Sequence, residues 1–220
     1  MYEKLITLPL FQGMSKTDVA IVLNKTKLRE IECRRNAVIV DKGQNCRGLF
    51  FLLEGEVDMI TTDDDGLFSV SERLPEPYVF EPERLFGLQQ RHAQRFIARS
   101  KCHLLYVRKD DILFLINESI VFRLNILNIL STLTQRKTSM LWHDPHSSVE
   151  DSVKAFLCKH SRLRTGGKVF RIKMTTLAEI LNISRLEVSI ALNALEDKGL
   201  LILQRGIITV PDIKQILECH

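Results

Sequence analysis

Apolar and polar positions along this 220-residue chain change texture several times. Near the start, Val19, Val22 and Leu23 recur at helical spacing. Ser15 precedes them as a helix cap, and Asp18 stands in the first turn, where the helix dipole favours an acid. From Leu28 to about Val107 short β-rich runs take over. Leu49-Phe50-Phe51-Leu52-Leu53 reads as a buried strand, and Leu104-Leu105-Tyr106-Val107 as a closing one. Lys42-Gly43-Gln44 and Asp63-Asp64-Asp65-Gly66 are turn signals, the second of the hairpin kind. Several short strands at close spacing predict a sandwich or barrel rather than a βαβ sheet.

After Asp110-Asp111 a helical pattern runs to about Trp142 with two apolar stripes. One passes through Ile116, Ile120, Leu124 and Leu127; the other through Phe122, Ile126, Ile129 or Leu130, Leu133 and Met140. One stripe suffices to pack on the chain's own core, so two point to a second chain on the other face. Asp144-Pro145-His146-Ser147-Ser148 reads as a linker, because proline ends the helix. Beyond it, a helix from about Val149 to His160 and a strand at Val169–Ile172 are expected. A short helix at Thr175–Leu181, a turn at Asn182-Ile183-Ser184 and a second helix from Arg185 to Lys198, stopped by Gly199, come next. Leu200–Leu203 and Gly206–Val210 form a hairpin about Gln204-Arg205, and Asp212 caps a last turn of helix. Two short helices, a tight turn and a hairpin make a winged helix-turn-helix, with Ala178, Ile183, Val188 and Leu195 locking the helices. The start of the second helix is then free to enter a major groove.

Composition changes this picture little. The apolar fraction of 45% and charged fraction of 26% exclude a disordered chain. No apolar run is long enough to span a membrane, and no secretory signal is visible, so a cytoplasmic location is expected. Five widely spaced cysteines form no C-x-x-C pair, which argues for reduced thiols. His143 and His146 lack the acids or thiols that would complete a metal site, so no metal or other cofactor is expected. No nucleophile–base pair, phosphate-binding glycine loop or metal triad is visible, and an enzyme is not expected.

Charge distribution says more than the total of +4. Residues 147–220 hold 11 cationic and 8 acidic side chains, a net +3. Within them Ser152–Met174 contains Lys154, Lys159, Arg162, Arg164, Lys168, Arg171 and Lys173 and no acid. Such a segment attracts phosphate backbones. A solvated helix face plus a loop is the competing reading.

Five regions in order resemble the CRP/FNR family of bacterial transcription regulators. They are Leu10–Ser15; Lys42-Gly43-Gln44 with Leu49–Val57; Asp63–Gly66; Ile97-Ala98 with Cys102–Val107; and Ile183-Ser184-Arg185, Val188-Ser189, Leu192, Leu195, Gly199 and Leu200. The resemblance implies an α+β chain. A jelly-roll-like β-roll sensor domain would span residues 1–110 and a long dimerisation helix 111–143. A winged helix-turn-helix DNA-binding domain would span 144–220. It implies a homodimer joined through Ile116–Met140, with double-stranded DNA, RNA polymerase and a small-molecule effector as partners, and no membrane.

Departures from the family pattern bear on the effector. Cyclic-nucleotide binders carry a Gly-Glu pair and, some ten residues on, an Arg followed by Ser or Thr. An arginine there pairs with the phosphate in a charge-assisted bond. Here Phe86-Gly87 is followed by Leu88, and His92-Ala93 falls where the Arg-Ser pair belongs, with Arg91 and Arg95 nearby. A cyclic nucleotide is therefore not the expected effector. Phe86, Gly87, Leu88, His92 and Arg95 are the candidate effector residues. No cysteine cluster precedes Cys33, so the iron–sulfur branch of the family is not indicated.

The recognition helix departs too. The family often has an acid two positions after the serine and an arginine six after it; these positions are Leu186 and Ile190. Arg185 keeps a side chain suited to guanine, and Leu186 and Ile190 suit thymine methyls. Base reading is assigned to Arg185 with Ser184, Leu186, Ser189 and Ile190, and phosphate holding to Lys173, Thr175, Thr176 and Arg205. The competing reading is a ligand-sensing or protein-contact module whose helix-turn-helix no longer reads DNA.

Overall fold

The computed structural model describes residues 2–139 and 148–218. Helices α1 (Tyr2–Thr7) and α2 (Lys16–Lys25) open the chain. Eight strands follow: β1 (Leu28–Cys33), β2 (Val38–Val40), β3 (Gly48–Glu54), β4 (Val57–Thr62), β5 (Ser69–Arg73), β6 (Tyr78–Val79), β7 (Arg95–Ala98) and β8 (Cys102–Arg108). Then come α3 (Lys109–Glu118), α4 (Ile120–Ser139), α5 (Val149–Lys159), β9 (Lys168–Arg171), α6 (Met174–Leu181), α7 (Arg185–Asp197), β10 (Ile202–Gln204), β11 (Ile207–Val210) and α8 (Ile213–Glu218). The chain forms two compact units, residues 1–57 with 74–141, and residues 58–73 with 142–220.

In the first unit, β1, β8, β3 and β6 form an antiparallel sheet in that order, and β2 pairs with β7. The apolar run of β3 is buried on both faces, which is why it shows no alternation. Gly48 is required where β3 meets β8, since a Cβ there would collide with the Val107 carbonyl and lie 2.7 Å from the Tyr106 ring. Ser15 caps α2 as expected, and Asp18 does more than suit the dipole: its carboxylate accepts the Ser15 N–H and completes a capping box. Helix α1 carries no comparable sequence signal; Leu5 of that helix, with Leu8, Leu10 and Phe11 after it, reaches the core. Phe11 packs edge-on against Phe51 and Phe122, at centroid distances of 5.7 and 5.2 Å.

The helical stretch expected as one long element is two. The axis turns by 115° between α3 and α4. Ser119 takes extended backbone, its N–H ends α3 on the Leu115 carbonyl, and its hydroxyl accepts the Phe122 N–H to start α4. Phe122 and Ile126 of α4 enter the core, and Asn125 Nδ2 donates to the carbonyls of Leu10 and Gln12. Ile120, Leu124 and Leu127 remain 58%, 51% and 52% exposed. Met140, Trp142, the two histidines at 143 and 146, most of the linker and Cys219 lie outside the described residues. Among the described residues no single helix is long and apolar enough to cross a membrane.

The second unit holds an antiparallel sheet in the order β10, β11, β9, β5, β4. Its outer two strands come from residues 58–73, far upstream in sequence. Phe68 and Val70 of that hairpin join Val153, Phe156, Leu157, Phe170, Leu177, Val188, Leu192 and Leu195 in one core. Phe68 lies 5.4 Å from Phe156 and 4.9 Å from His160, ring to ring.

Candidate DNA interface and effector region

Helices α6 and α7 are joined by the expected tight turn. Asn182 adopts left-handed backbone (φ 55), and the Ile183 N–H bonds the Ala178 carbonyl. Ser184 caps α7: its Oγ accepts the Glu187 N–H, and its own N–H donates to Glu187 Oε2 at 2.9 Å. These bonds hold the Glu187 carboxyl below its ordinary pKa. Val188, Ala191, Leu192 and Leu195 face inward with Leu177 and Ala178.

What the helix leaves outside is the predicted reading face. Arg185 is exposed, Ser189 is half-buried, and Leu186 and Ile190 are 70% and 61% exposed, one turn apart. Of the phosphate candidates, Lys173 stands exposed at the start of α6, Thr175 is exposed, and Arg205 sits at the tip of the β10–β11 wing beside Gly206 (φ +72). Thr176 departs from expectation: it is turned inward beside Leu177 and Ala178. An open cleft of about 600 Å³ along the turn is lined by Thr175, Asn182, Ser184 and Arg185, together with the carboxylates of Glu179 and Glu187.

The acid-free segment 152–174 is less cationic in the fold than in the sequence. Lys154 is buried between Glu150 and Asp151 (3.1 and 3.5 Å), and Lys198 shares Glu150 at 2.7 Å. Burial opposes the Lys154 ammonium, but its bonds to Glu150 leave its pKa raised. Lys168 is buried against Glu72, and there burial outweighs the partner and lowers its pKa. Lys159, Arg164, Arg171 and Lys173 remain exposed.

The effector candidates do not converge. Phe86 lies half-buried, with Lys109 Nζ 4.9 Å from its ring centroid. Gly87 (φ +87) and Leu88 are exposed on a turn. His92 points inward, its Nδ1 2.8 Å from Glu81 Oε2, while Arg95 stays on the surface 3.6 Å from Asp41. Phe80 stacks on Phe96 at 4.2 Å, with Phe50 and Tyr78 beside it. Sequence reading missed Glu81: it lies in a proline-flanked stretch that reads only as a loop, yet it is the acid that holds His92. Among the described residues no group of three or more His, Cys, Asp or Glu side chains is arranged for a metal ion.

Comparison with known proteins agrees with this architecture. A family model for the cyclic nucleotide-binding domain matches residues 30–119, and one for the Crp-like helix-turn-helix domain matches residues 153–219. The fold is similar to that of the catabolite activator protein of Thermus thermophilus, at 20% identity over 96% of each chain and a TM-score of 0.51. It is also similar to a CRP/FNR-family transcriptional regulator from Eubacterium rectale, at 17% identity, 96% of this chain, 97% of that one and a TM-score of 0.52. The c-di-GMP responsive global regulator CLP of Xanthomonas campestris shares 18% identity over 90% of this chain and 99% of its own, with a TM-score of 0.50. None of the curated proteins matches the chain.

Proposed function

The chain belongs to the CRP/FNR family of transcription regulators, carrying that family's two domains, and on this premise we propose that it works as a homodimer that binds specific DNA sequences. The family is one of regulators rather than enzymes. The observation that carries the reading is the outward face of α7, where Arg185, Leu186, Ser189 and Ile190 stand clear of the unit's core. A helix so presented fits a major groove, with Lys173, Thr175 and Arg205 as phosphate contacts beside it. The exposed Ile120, Leu124 and Leu127 stripe supports pairing of two chains through α4. With Leu186 and Ile190 in the reading positions, the target is richer in A·T pairs than the family's usual half-site, with more weight on phosphate contacts and DNA shape.

The effector in this reading is not a cyclic nucleotide. The cassette offers an imidazole already engaged by Glu81 where a phosphate-binding arginine belongs. Thermal shift of the full chain with cyclic AMP tests this; a stabilisation of several degrees overturns it.

Fluorescence titration of the full chain against genomic fragments tests the main reading. Some fragment binds more tightly than random DNA at physiological salt, and Arg185→Ala weakens it. If no fragment exceeds random DNA and the variant changes nothing, the reading fails. A second reading, a protein-contact surface, draws on the same exposed Leu186 and Ile190 and on the Glu179 and Glu187 carboxylates in the adjacent cleft. Weak, salt-insensitive DNA binding together with a captured partner supports that alternative.

A further inference from the structure

Strands β1 and β8 pair in an unbroken antiparallel register, from Leu28 opposite Val107 to Cys33 opposite Cys102. Directly opposed residues put their side chains on one face of the sheet, with Cβ atoms about 4.5–5.5 Å apart. The next pair along the ladder shows the contact this register makes. Glu32 stands opposite His103 on the other face, and His103 Nδ1 lies 3.6 Å from Glu32 Oε1. Opposed Cα atoms in an antiparallel pair are about 4.5 or 5.5 Å apart, according to whether the pair exchanges hydrogen bonds. Both values fall inside the span of about 4.4–6.8 Å that a disulfide bridges. Both thiols are free in the structure.

The two thiols differ in access. Cys102 is buried under the β3–β4 turn, where a Cβ on Gly55 would come 2.9 Å from Cys102 Sγ, and its thiol donates to the Glu56 carbonyl at 3.2 Å. Cys33 is half-buried at the end of β1, the outer strand of its sheet, and exposed Arg34 and Arg35 follow it. An anionic reagent is therefore drawn to Cys33 first. Burial, and after it the neighbouring Cys102, hold the Cys33 thiol above its ordinary pKa, so its attack is slow at neutral pH. Neither other described cysteine faces a cysteine across a strand pair: Cys46 precedes β3 and donates to the Gly48 carbonyl, and Cys158 lies on α5 of the other unit.

We propose that Cys33 and Cys102 form a reversible disulfide within one chain, made by exchange with an anionic low-molecular-weight disulfide such as oxidised glutathione. Cys33 gives its proton to water, and its thiolate attacks one glutathione sulfur. A bond forms between Cys33 and that sulfur as the glutathione S–S bond breaks. The first glutathione leaves as a thiolate and takes up a proton. Cys102 then loses its proton and attacks the Cys33 sulfur, and the second glutathione leaves in the same way. Two protein thiols lose two electrons in all, and one glutathione disulfide becomes two thiols. The bond fastens β1, the outer strand, to β8 at the end of the ladder away from α3. The proposal does not depend on DNA binding.

The test equilibrates the reduced full chain in buffers of rising oxidised-to-reduced glutathione ratio, blocks the remaining thiols and assigns the products by peptide mass spectrometry without reduction. A linked Cys33–Cys102 peptide pair appears, two hydrogen masses below the sum of its parts, on a band of single-chain mass in a non-reducing gel. It exceeds Cys33 capped by glutathione about tenfold or more, because the second thiol is already in place. Cys102→Ser, which keeps a donor for the Glu56 carbonyl, leaves Cys33 as the glutathione adduct alone. Oxidation raises the thermal midpoint of the unaltered chain by several degrees, since the cross-link restricts the unfolded chain, and leaves that of Cys33→Ser unmoved. Absence of the linked pair at the most oxidising ratio overturns the proposal, and this needs no variant to fold. Linkage of Cys33 to another cysteine, or a band of two-chain mass carrying the linked pair, overturns it as well.

Discussion

Lys168 Nζ lies 3.2 Å from Glu72 Oε1, with neither side chain more than 1% exposed. Glu72 also accepts the backbone N–H groups of Arg162 and Leu163, and Lys168 donates to the Thr165 carbonyl. This satisfied network fastens the β4–β5 hairpin to β9. Removing one partner strands a buried charge, so Glu72→Gln or Lys168→Met costs the second unit about 3–5 kcal/mol in chemical denaturation. The double variant loses less than the sum of the two singles. Strict additivity refutes the coupling.

His92 gives the first unit a pH dependence. Burial works against its cation, but bonds to Cys46 and Glu81 overcome this and raise its pKa from 6.5 to about 9. A group whose pKa rises on folding stabilises fully below its unfolded value and loses that contribution as pH passes its folded value. Thermal stability therefore falls between pH 6.5 and about 9, and Glu81→Gln flattens the decline. An equally steep decline in that variant removes the Glu81–His92 pair as its source.

The Ser184–Glu187 capping box makes a parallel case on α7. Ser184→Ala leaves the Glu187 N–H without its acceptor and costs about 1 kcal/mol. The Glu187 carboxyl is held below its ordinary value of 4.5, so its support is present above that pH and lost on acidification through the lowered value. Circular dichroism across acid pH shows less acid sensitivity in Glu187→Gln than in the unaltered chain. Identical acid profiles exclude this origin.

These features differ in how far sequence reveals them. The two capping boxes, Asn182 and Gly199 are local signals, each carried by a residue and its neighbours within four positions. The winged helix-turn-helix follows from them. Ser119 is local too, but it stands in an unbroken helical pattern with no proline or glycine, so periodicity alone runs one helix through it. Nothing near Lys168 in sequence announces Glu72, and the run around it reads as free cationic charge although Lys154 and Lys168 are consumed internally. Likewise Glu81 and His92 show no motif; only the fold brings the carboxylate to the ring. Long-range pairing is what composition and periodicity leave unspecified.

Dimerisation through α4 rests on the stripe that the core does not use. Phe122 and Ile126 are consumed by the unit's own packing, whereas Leu124 and Leu127 are about half exposed. Leu124→Glu therefore spares the core and introduces like charges where two α4 helices meet. Light scattering on this variant gives the mass of one chain, and of two for the unaltered protein. A two-chain mass for Leu124→Glu places the interface elsewhere.

DNA contacts separate by their salt dependence. Lys173 and Arg205 carry exposed charges at the start of α6 and the wing tip, positions that reach phosphates rather than base edges. Replacing either with Ala weakens binding about equally for all sequences and reduces the slope of log affinity against log salt by about 1. Arg185 stands in the first turn of α7 on the reading face. Arg185→Ala costs about 1–3 kcal/mol on the preferred fragment and narrows its margin over random DNA. Leu186 and Ile190 have no charge to release counterions, so Leu186→Ala and Ile190→Ala alter preference at A·T positions with the salt slope unchanged. Titrations at several salt concentrations sort the five variants. A uniform loss for Arg185→Ala, equal on preferred and random DNA, assigns that side chain to the backbone and leaves base reading to the two apolar residues.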